Sequence, residues 1–334
     1  MTDSEPTNER TADTDETHRQ APIDRSVAEA QRYRRIAAED PDRIVADRTR
    51  VFDLLTMEGA DTLPALQAEL KRRAAVSDAL ETVAIETPTQ LTGCCAILLP
   101  ELNREQDRSL PAGRPTLESL SDAITDRLVS TIARIFVDTP DVAVSCDGFT
   151  TFVDAVTTDQ RDTTLRVTMH ALFLTAQDRS RDIVRAIETI EELLTDSDPA
   201  IQTWSIATVG RLATTHPGKI TPTAETLGAL LDHTDDRIQH NAVEALAELA
   251  STQPDAVLPA TESLVELLDH DDVAIQHNTA GIFGQLAEDH PDAVLPAVEA
   301  LHRLREHDDA AVRRVATGTL VRLVEEHPEI VEDP

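Results

Sequence analysis

Aromatic side chains are scarce in this chain of 334 residues, making up 2% of it with one Trp and one Tyr. A compact core anchored on aromatic rings is therefore not expected. Alternating β-branched runs between glycine-rich turns are nearly missing, which argues against strands. The sequence has no apolar run of about 18 residues, so we expect no membrane-spanning helix. The charged N-terminal segment lacks the apolar centre of a secretory signal.

Lysine is nearly missing as well, since only Lys71 and Lys219 among the thirty basic residues are lysine. Asp and Glu number 62, and the formal net charge is −32. This composition resembles that of proteins from salt-loving archaea. In molar salt the Debye length is about 3 Å, which screens the self-repulsion of such a chain. We interpret the charge as an adaptation to a salty cytoplasm, rather than as a sign of a basic partner.

Cysteine is rare and shows no metal-ligand spacing. The chain has three, and the adjacent Cys94 and Cys95 lie in an apolar run. This setting predicts buried, reduced thiols. The sequence predicts no cofactor and no metal site.

What the sequence does contain is a repeat of 37 residues from Ile183 onwards. When the copies are aligned at this period, equivalent residues fall into columns. Four such columns are Pro217, Pro254, Pro291 and Pro328; Leu194, Leu231, Leu268 and Arg305; Ile201, Ile238, Ile275 and Val312; and Ala213, Ala250, Ala287 and Val324. A repeat of this length with two apolar stripes predicts one helical hairpin, which cannot bury its own apolar face. Stacked hairpins of this kind form a solenoid.

The repeat divides the chain into three parts. Residues 1–24 have almost no large apolar side chains and are predicted to be disordered. Residues 25–145 are predicted to hold degenerate, longer hairpins, and residues 146–334 the regular repeats. About seven hairpins are expected in all.

The motifs of the clear repeats resemble those of HEAT-type repeats, close to the armadillo group and its bilin-lyase-like subset. They are Pro-Asp-x-x-hydrophobic, Leu-x-x-Leu-Leu, Asp-x-x-hydrophobic and Ala-x-x-x-Leu-x-x-Leu-Ala. The resemblance implies an all-α, right-handed α-solenoid whose second helices line a concave surface, and a scaffold or adaptor function. The subset usually has Arg after the Asp-x-x-hydrophobic turn. Here glutamine replaces it in three repeats, and Arg313 alone retains it.

Polar residues recur where the second helices begin, and we predict them as the candidate partner-binding residues. They are Gln202, Trp204, Gln239, His240, Asn241, Gln276, His277, Asn278, Arg313 and Arg314. Two interpretations remain open: a hydrogen-bonded ladder between repeats, or a polar strip that grips an extended partner. Trp204 is either a partly exposed binding residue or an inward core residue.

Periodicity also argues against catalytic and metal chemistry. His233, His270 and His307 are 37 residues apart, and stacked hairpins lie about 10 Å apart, too far for shared zinc ligands. Acid pairs such as Asp271-Asp272 recur at the same interval and are interpreted as turn and cap residues. Phosphate loops, dinucleotide fingerprints, His-Glu-x-x-His and the nucleophile elbow are missing. The sequence predicts no enzyme.

Basic residues form a few short clusters, including Lys71-Arg72-Arg73. We interpret them as solvated helix faces, with an Arg-rich docking edge as the alternative. Residues 186–302 contain twenty-one acids and three bases. This region should repel nucleic acid, whose binding depends on phosphate neutralisation.

The sequence therefore predicts a cytoplasmic, non-catalytic scaffold that binds a protein partner, in signalling or complex assembly. The alternative is a bilin-lyase-like enzyme or chromophore-binding HEAT protein, which the resemblance permits.

Overall fold

The computed structural model describes residues 10–58, 62–158 and 160–326, with side chains from Pro22 to Glu325. Throughout these residues the chain forms α-helices, short 3-10 helices and turns, and no strand. The predicted all-α fold of stacked hairpins, an α-solenoid, is confirmed. Within the described ranges, no helix has the length and apolar character to cross a membrane. Of the tail predicted to be disordered, residues 1–9 lie outside the described residues, and the first helix begins at Arg10.

The chain divides into two compact units, Met1–Ala155 and Val156–Pro334. The boundary predicted between residues 145 and 146 falls inside the first unit. Helices of the first unit are α1 (Arg10–Glu39), α2 (Pro41–Ala46), α3 (Arg48–Thr56), α4 (Leu63–Glu86), α5 (Cys95–Gln106), α6 (Pro115–Asp138), α7 (Pro140–Ser145) and α8 (Phe149–Asp154), with a 3-10 helix at Pro88–Cys94. Its long helix α4 packs against both α1 and α6.

A buried ion cluster holds the first unit together at the end of α3. Arg73 is fully buried and pairs with Glu101 (Nη1–Oε2, 2.6 Å) and Glu105 (Nε–Oε1, 2.6 Å). Arg73 also donates to the Leu55 carbonyl at 2.8 Å, and Arg72 donates to the Leu54 carbonyl at 2.9 Å. These guanidinium groups bind carbonyls that a helix end leaves without partners.

The interpretation of Lys71-Arg72-Arg73 as a solvated face was therefore wrong for its two arginines. Arg72 is 4% exposed and Arg73 is 0% exposed. Their charge alone predicted that these side chains would be exposed to solvent. In the fold, however, they contact carboxylates and carbonyls that are distant in sequence, and a paired charge can be buried.

The second unit repeats one hairpin. Its helices are α9 (Asp162–Thr175), α10 (Ser180–Ile183), α11 (Ile187–Glu192), α12 (Pro199–Thr215), α13 (Pro217–Ile220), α14 (Ala224–Ala229), α15 (Asp236–Ala250), α16 (Thr261–Leu267), α17 (Val273–Asp289), α18 (Pro291–Val294), α19 (Val298–Leu304) and α20 (Ala310–Glu326). The 3-10 helices are Val184–Ala186, Leu193–Thr195, Thr221–Thr223, Leu230–Asp232, Pro254–Ala260 and Leu295–Ala297. The second helices α9, α12, α15, α17 and α20 pack in sequence order, each on the next.

The apolar columns form the core of this unit. Ile201, Ile238, Ile275 and Val312 are all 0% exposed, which confirms that column. The last repeat departs from two other columns, because Arg305 is exposed and Val324 is 42% exposed. Val324 lies on α20, the last helix of the described residues.

The first helix of each regular hairpin is broken rather than continuous. Pro222, Pro259 and Pro296, again 37 residues apart, lie in the 3-10 segments. Proline removes a backbone donor and clashes with the preceding turn of an α-helix, which favours a local tightening of the chain. The hairpin before these three has the same break at Val184–Ala186 without a proline, so proline is not its sole cause. The second helices contain no such proline past their first turn, and they form longer continuous surfaces.

Histidine and aspartate build the turn within each hairpin. The Nδ1 atom of His270 accepts the backbone N–H of Asp272 at 2.9 Å, and Asp272 Oδ1 accepts the N–H groups of Ala274 and Ile275 at 2.7 and 3.3 Å. The pairs His233–Asp235 and His307–Asp309 repeat the first contact at 3.0 Å. The prediction of turn and cap residues is confirmed here.

Candidate functional site

A groove of about 710 Å³ lies on the row of second helices in the second unit. We call it the Trp204 groove. Its lining on α12 is Thr203, Trp204, Ala207, Gly210, Arg211, Thr214 and Thr215, and on α15 Asp236, Arg237, His240, Asn241, Glu244, Ala245 and Glu248. Phe173, Gln177 and Asp272 complete it. The groove therefore spans hairpins rather than lying within one.

Trp204 and Phe173 line one wall of the groove, and His170 stacks on Trp204. The ring of His170 lies against the indole of Trp204, with centroids 4.2 Å apart and planes 11° apart. Phe173 approaches the same indole at 5.1 Å. Burial lowers the pKa of His170, which favours the neutral ring beside the indole. Trp204 remains half-buried, so part of its surface faces the groove.

Arg211 fixes the position of Phe173. Its guanidinium carbon lies 3.7 Å from the centroid of the Phe173 ring, a cation–π contact. The same guanidinium donates from Nη1 to the Phe173 carbonyl at 3.0 Å. These contacts connect α9 to α12 and make the aromatic wall a preorganised surface rather than a set of loose side chains.

A polar contact connects α12 to α15 on the other side. Asn241 donates from Nδ2 to the backbone carbonyl of Thr203 at 3.3 Å. His240, one residue earlier, lies 3.9 Å from the carboxylate of Glu244. Both side chains are half-buried and line the groove.

Three of the predicted binding residues therefore line the groove: Trp204, His240 and Asn241. The fold brings Trp204 and Asn241 together from adjacent repeats. Asn241 makes the hydrogen bond between repeats that the ladder interpretation required, and it also lines the groove. For this residue, therefore, the ladder and the binding surface are compatible.

The predicted glutamines lie elsewhere. Gln202 Nε2 donates to the Leu194 carbonyl at 2.9 Å, and Gln239 and Gln276 make the same contact to Leu231 and Leu268 at 2.7 and 3.2 Å. Each bond joins the two helices of one hairpin, so the glutamines form no ladder between repeats. Gln202 and Gln276 are also 6% and 8% exposed. The partner-binding prediction does not fit these buried side chains, because the turn leaves helix-end carbonyls that the amide satisfies.

The remaining predicted residues also lie outside the groove lining. His277 and Asn278 are half-buried and contact one another, Nδ1 to Oδ1, at 3.2 Å. Arg313 takes the place of the glutamines and donates from Nη1 to the carbonyls of His307 and Asp308 at 2.6 and 2.8 Å. Arg314 is exposed.

Sequence reasoning missed His170, Phe173 and Arg211. His170 and Phe173 lie one helical turn apart in the second half of α9, away from the helix starts at which the candidate residues were chosen. A signal was nevertheless present, because aromatic residues are rare here and two rings precede Trp204 by about one repeat.

A smaller pocket of about 410 Å³ in the first unit contains a cysteine. It is lined partly by Arg48, Phe52, Cys94 and Ile97. Cys94 and Cys95 are free and buried, which confirms their predicted burial. Burial raises the pKa of both thiols, that of Cys95 to about 12, so the thiols are poor nucleophiles. Across the described parts of the chain, no group of three or more His, Cys, Asp or Glu is arranged to hold a metal ion.

Comparisons with known proteins bear on the family and on the fold. The family model described as the adaptin N terminal region matches residues 95–332. An engineered protein of known structure aligns with 92% of this chain and 76% of its own, at 20% identity and a TM-score of 0.59. A designed armadillo repeat protein aligns with 82% of this chain and 98% of its own, at 18% identity and a TM-score of 0.41. No curated protein matches the sequence significantly.

The engineered protein supports the fold alone, since its identity is low. The family match covers well over half of the residues and includes the whole Trp204 groove. The chain therefore belongs to the adaptin N terminal region family.

Proposed function

We propose that this chain is a non-catalytic scaffold that binds another protein along its second helices, with the Trp204 groove as the principal contact. The observation that carries the proposal is the half-buried Trp204, which stacks on His170 and faces an open groove. Tryptophan is enriched among residues that dominate binding energy. A preorganised indole loses little conformational entropy when a partner packs on it.

The repeat architecture supports the same proposal. Solenoids present extended surfaces that suit long or flexible partners. Within the proposal, the chain acts in signalling or complex assembly in a salty cytoplasm of archaeal type, and the twenty-one acids of residues 186–302 keep nucleic acid away. The bilin-lyase-like alternative is not favoured, because the family match is to adaptins.

The test is affinity capture at high salt with a matched pair of variants. Trp204→Ala removes the indole from the groove, whereas Leu295→Ala truncates an exposed apolar residue, 43% exposed, on the first-helix side. We expect the wild type and Leu295→Ala to retain the same stoichiometric protein, and Trp204→Ala to lose it by about tenfold or more.

A second groove variant distinguishes loss of the binding surface from loss of folding. Ala207→Arg fills the groove while leaving the aromatic stack intact, and circular dichroism reports helix content for each protein. Retention of the partner by both folded groove variants, or recovery of no stoichiometric partner by the wild type, contradicts the proposal.

A further inference from the structure

The Trp204 groove carries an excess of negative charge. Four carboxylates line it, from Asp236, Glu244, Glu248 and Asp272. Glu244 and Glu248 lie one helical turn apart on α15, where like charges destabilise one another. A cation placed between them would relieve that repulsion.

The two guanidinium groups that line the groove are already engaged. Arg211 is held against the ring and carbonyl of Phe173. Arg237 makes a two-point contact with Asp235, at 3.1 Å from Nε and 2.8 Å from Nη2. That side-chain hydrogen bond also lowers the pKa of Asp235 to about 2. Neither arginine is therefore directed at Glu244 or Glu248.

The floor between these carboxylates and the indole is small and apolar. Ala207 and Gly210 on α12 and Ala245 on α15 line it, and a Cβ added at Gly210 would lie 3.3 Å from the Cα and Cβ of Ala245. The two helices thus approach closely, and no large side chain fills the space above them. An extended backbone can lie there with its side chains reaching the carboxylates.

We propose that the occupant of the groove is an extended peptide segment of a partner protein that carries Arg or Lys, with its cations at Glu244 and Glu248 and an apolar residue against Trp204. This inference rests on the proposed function and adds the chemistry of the partner. Three adjacent second helices span about 20 Å, which an extended chain covers with about six residues. Charge complementarity selects the cationic segment over an acidic one.

The experiment uses the fluorescence of Trp204, the single Trp of the chain, as the reporter. The full chain is titrated with three peptides of about eight residues that share an apolar residue and differ in carrying Arg/Lys, Gln or Glu at the other positions. Titrations are made at the lowest ionic strength at which circular dichroism shows the chain folded. We expect the Arg/Lys peptide to bind most tightly and to weaken as salt is added.

A matched pair of double variants locates the cations. Glu244→Gln with Glu248→Gln should weaken binding of the Arg/Lys peptide by about tenfold. The control is Glu262→Gln with Glu266→Gln, which makes the same charge change at the same spacing on the exposed face of α16, outside the groove lining. The control should leave affinity unchanged.

Three outcomes overturn the inference. Equal weakening by both double variants means that peptide binding is a general effect of the acidic surface. Equal binding of the Gln or Glu peptide, with loss on Ala207→Arg, which keeps Trp204 as the reporter, means that the groove binds protein without charge selection, so the proposed function stands and the cationic partner is rejected. Binding of no peptide also rejects the cationic segment, and affinity capture with the Trp204 variants then decides the proposed function separately.

Discussion

The imidazole of His170 lies nearly parallel to the indole of Trp204, 4.2 Å away between centroids and tilted by 11°. The two residues belong to adjacent hairpins, so the stack forms only when the repeats are packed. It makes the single Trp a reporter of the groove and of the repeat interface.

The first prediction concerns pH. Protonated imidazole quenches indole fluorescence, so emission from Trp204 should fall as the solution is acidified. Burial lowers the pKa of His170, so the midpoint should lie below the ordinary histidine value of 6.5. A fluorescence titration of the folded protein measures it. His170→Gln should abolish the transition, whereas a transition that persists would show that another group causes it.

The same shift has a defined effect on stability. Because the folded pKa is lowered, the unfolded chain binds the proton more readily, and the stabilising contribution of neutral His170 is complete above pH 6.5. It declines as pH falls from 6.5 through the folded pKa. His170→Gln should therefore reduce the dependence of urea midpoints on pH in this window.

The second prediction concerns the buried cluster of the first unit. Arg73→Ala leaves Glu101 and Glu105 buried without this cation and should destabilise the unit by about 3–5 kcal/mol. The control is Arg34→Ala, which removes a half-exposed ion pair with Asp78 and should cost less than about 1 kcal/mol. Urea unfolding followed by circular dichroism compares them. Equal small losses would show that the cluster is not a determinant of stability.

The third prediction compares two glycines of α17. A Cβ added at Gly284 would lie 2.9 Å from Oγ1 of Thr319, a hydroxyl that donates to the Ala280 carbonyl, so Gly284→Ala should destabilise by about 1–3 kcal/mol. At Gly281 nothing lies within 4 Å, and Gly281→Ala should stabilise by up to about 1 kcal/mol through helix propensity. Thermal melts check both. A stabilising Gly284→Ala would contradict the close packing of α17 on α20.

The fourth prediction concerns the cap of α17. Asp272 accepts two backbone N–H groups, so Asp272→Ala should cost about 1 kcal/mol. Its neighbour Asp271 is exposed and makes no cap contact to this helix, so Asp271→Ala serves as the matched control and should be nearly neutral. If urea midpoints move equally for both, the effect comes from net charge and not from capping.

Much of the fold followed from local pattern. Helical spacing identified the buried column from Ile201 to Val312, and its 37-residue period predicted stacked hairpins because a hairpin cannot cover its own apolar face. Helix caps such as Asp272 could also be predicted from the sequence, since capping depends on residues close in sequence. The broken first helices were not predicted, although three of the breaks contain periodic prolines.

The candidate site was only partly predictable. Trp204, His240 and Asn241 were identified from their positions at the start of second helices, and the glutamines were grouped with them by the same logic. Periodicity assigns a position along a helix, but it does not say which neighbour a side chain meets. For Gln202 that neighbour is a carbonyl in its own hairpin, eight residues earlier, and for Asn241 it is a carbonyl in the previous one.

The sequence by itself determined an all-α chain of repeated hairpins, because apolar periodicity and capping act over a few residues. Only the tertiary structure decided that Trp204, Glu244 and Glu248 share one groove, that His170 stacks on Trp204, and that Arg73 is buried. Those outcomes depend on which residues of different hairpins come within contact distance, and packing alone sets that distance.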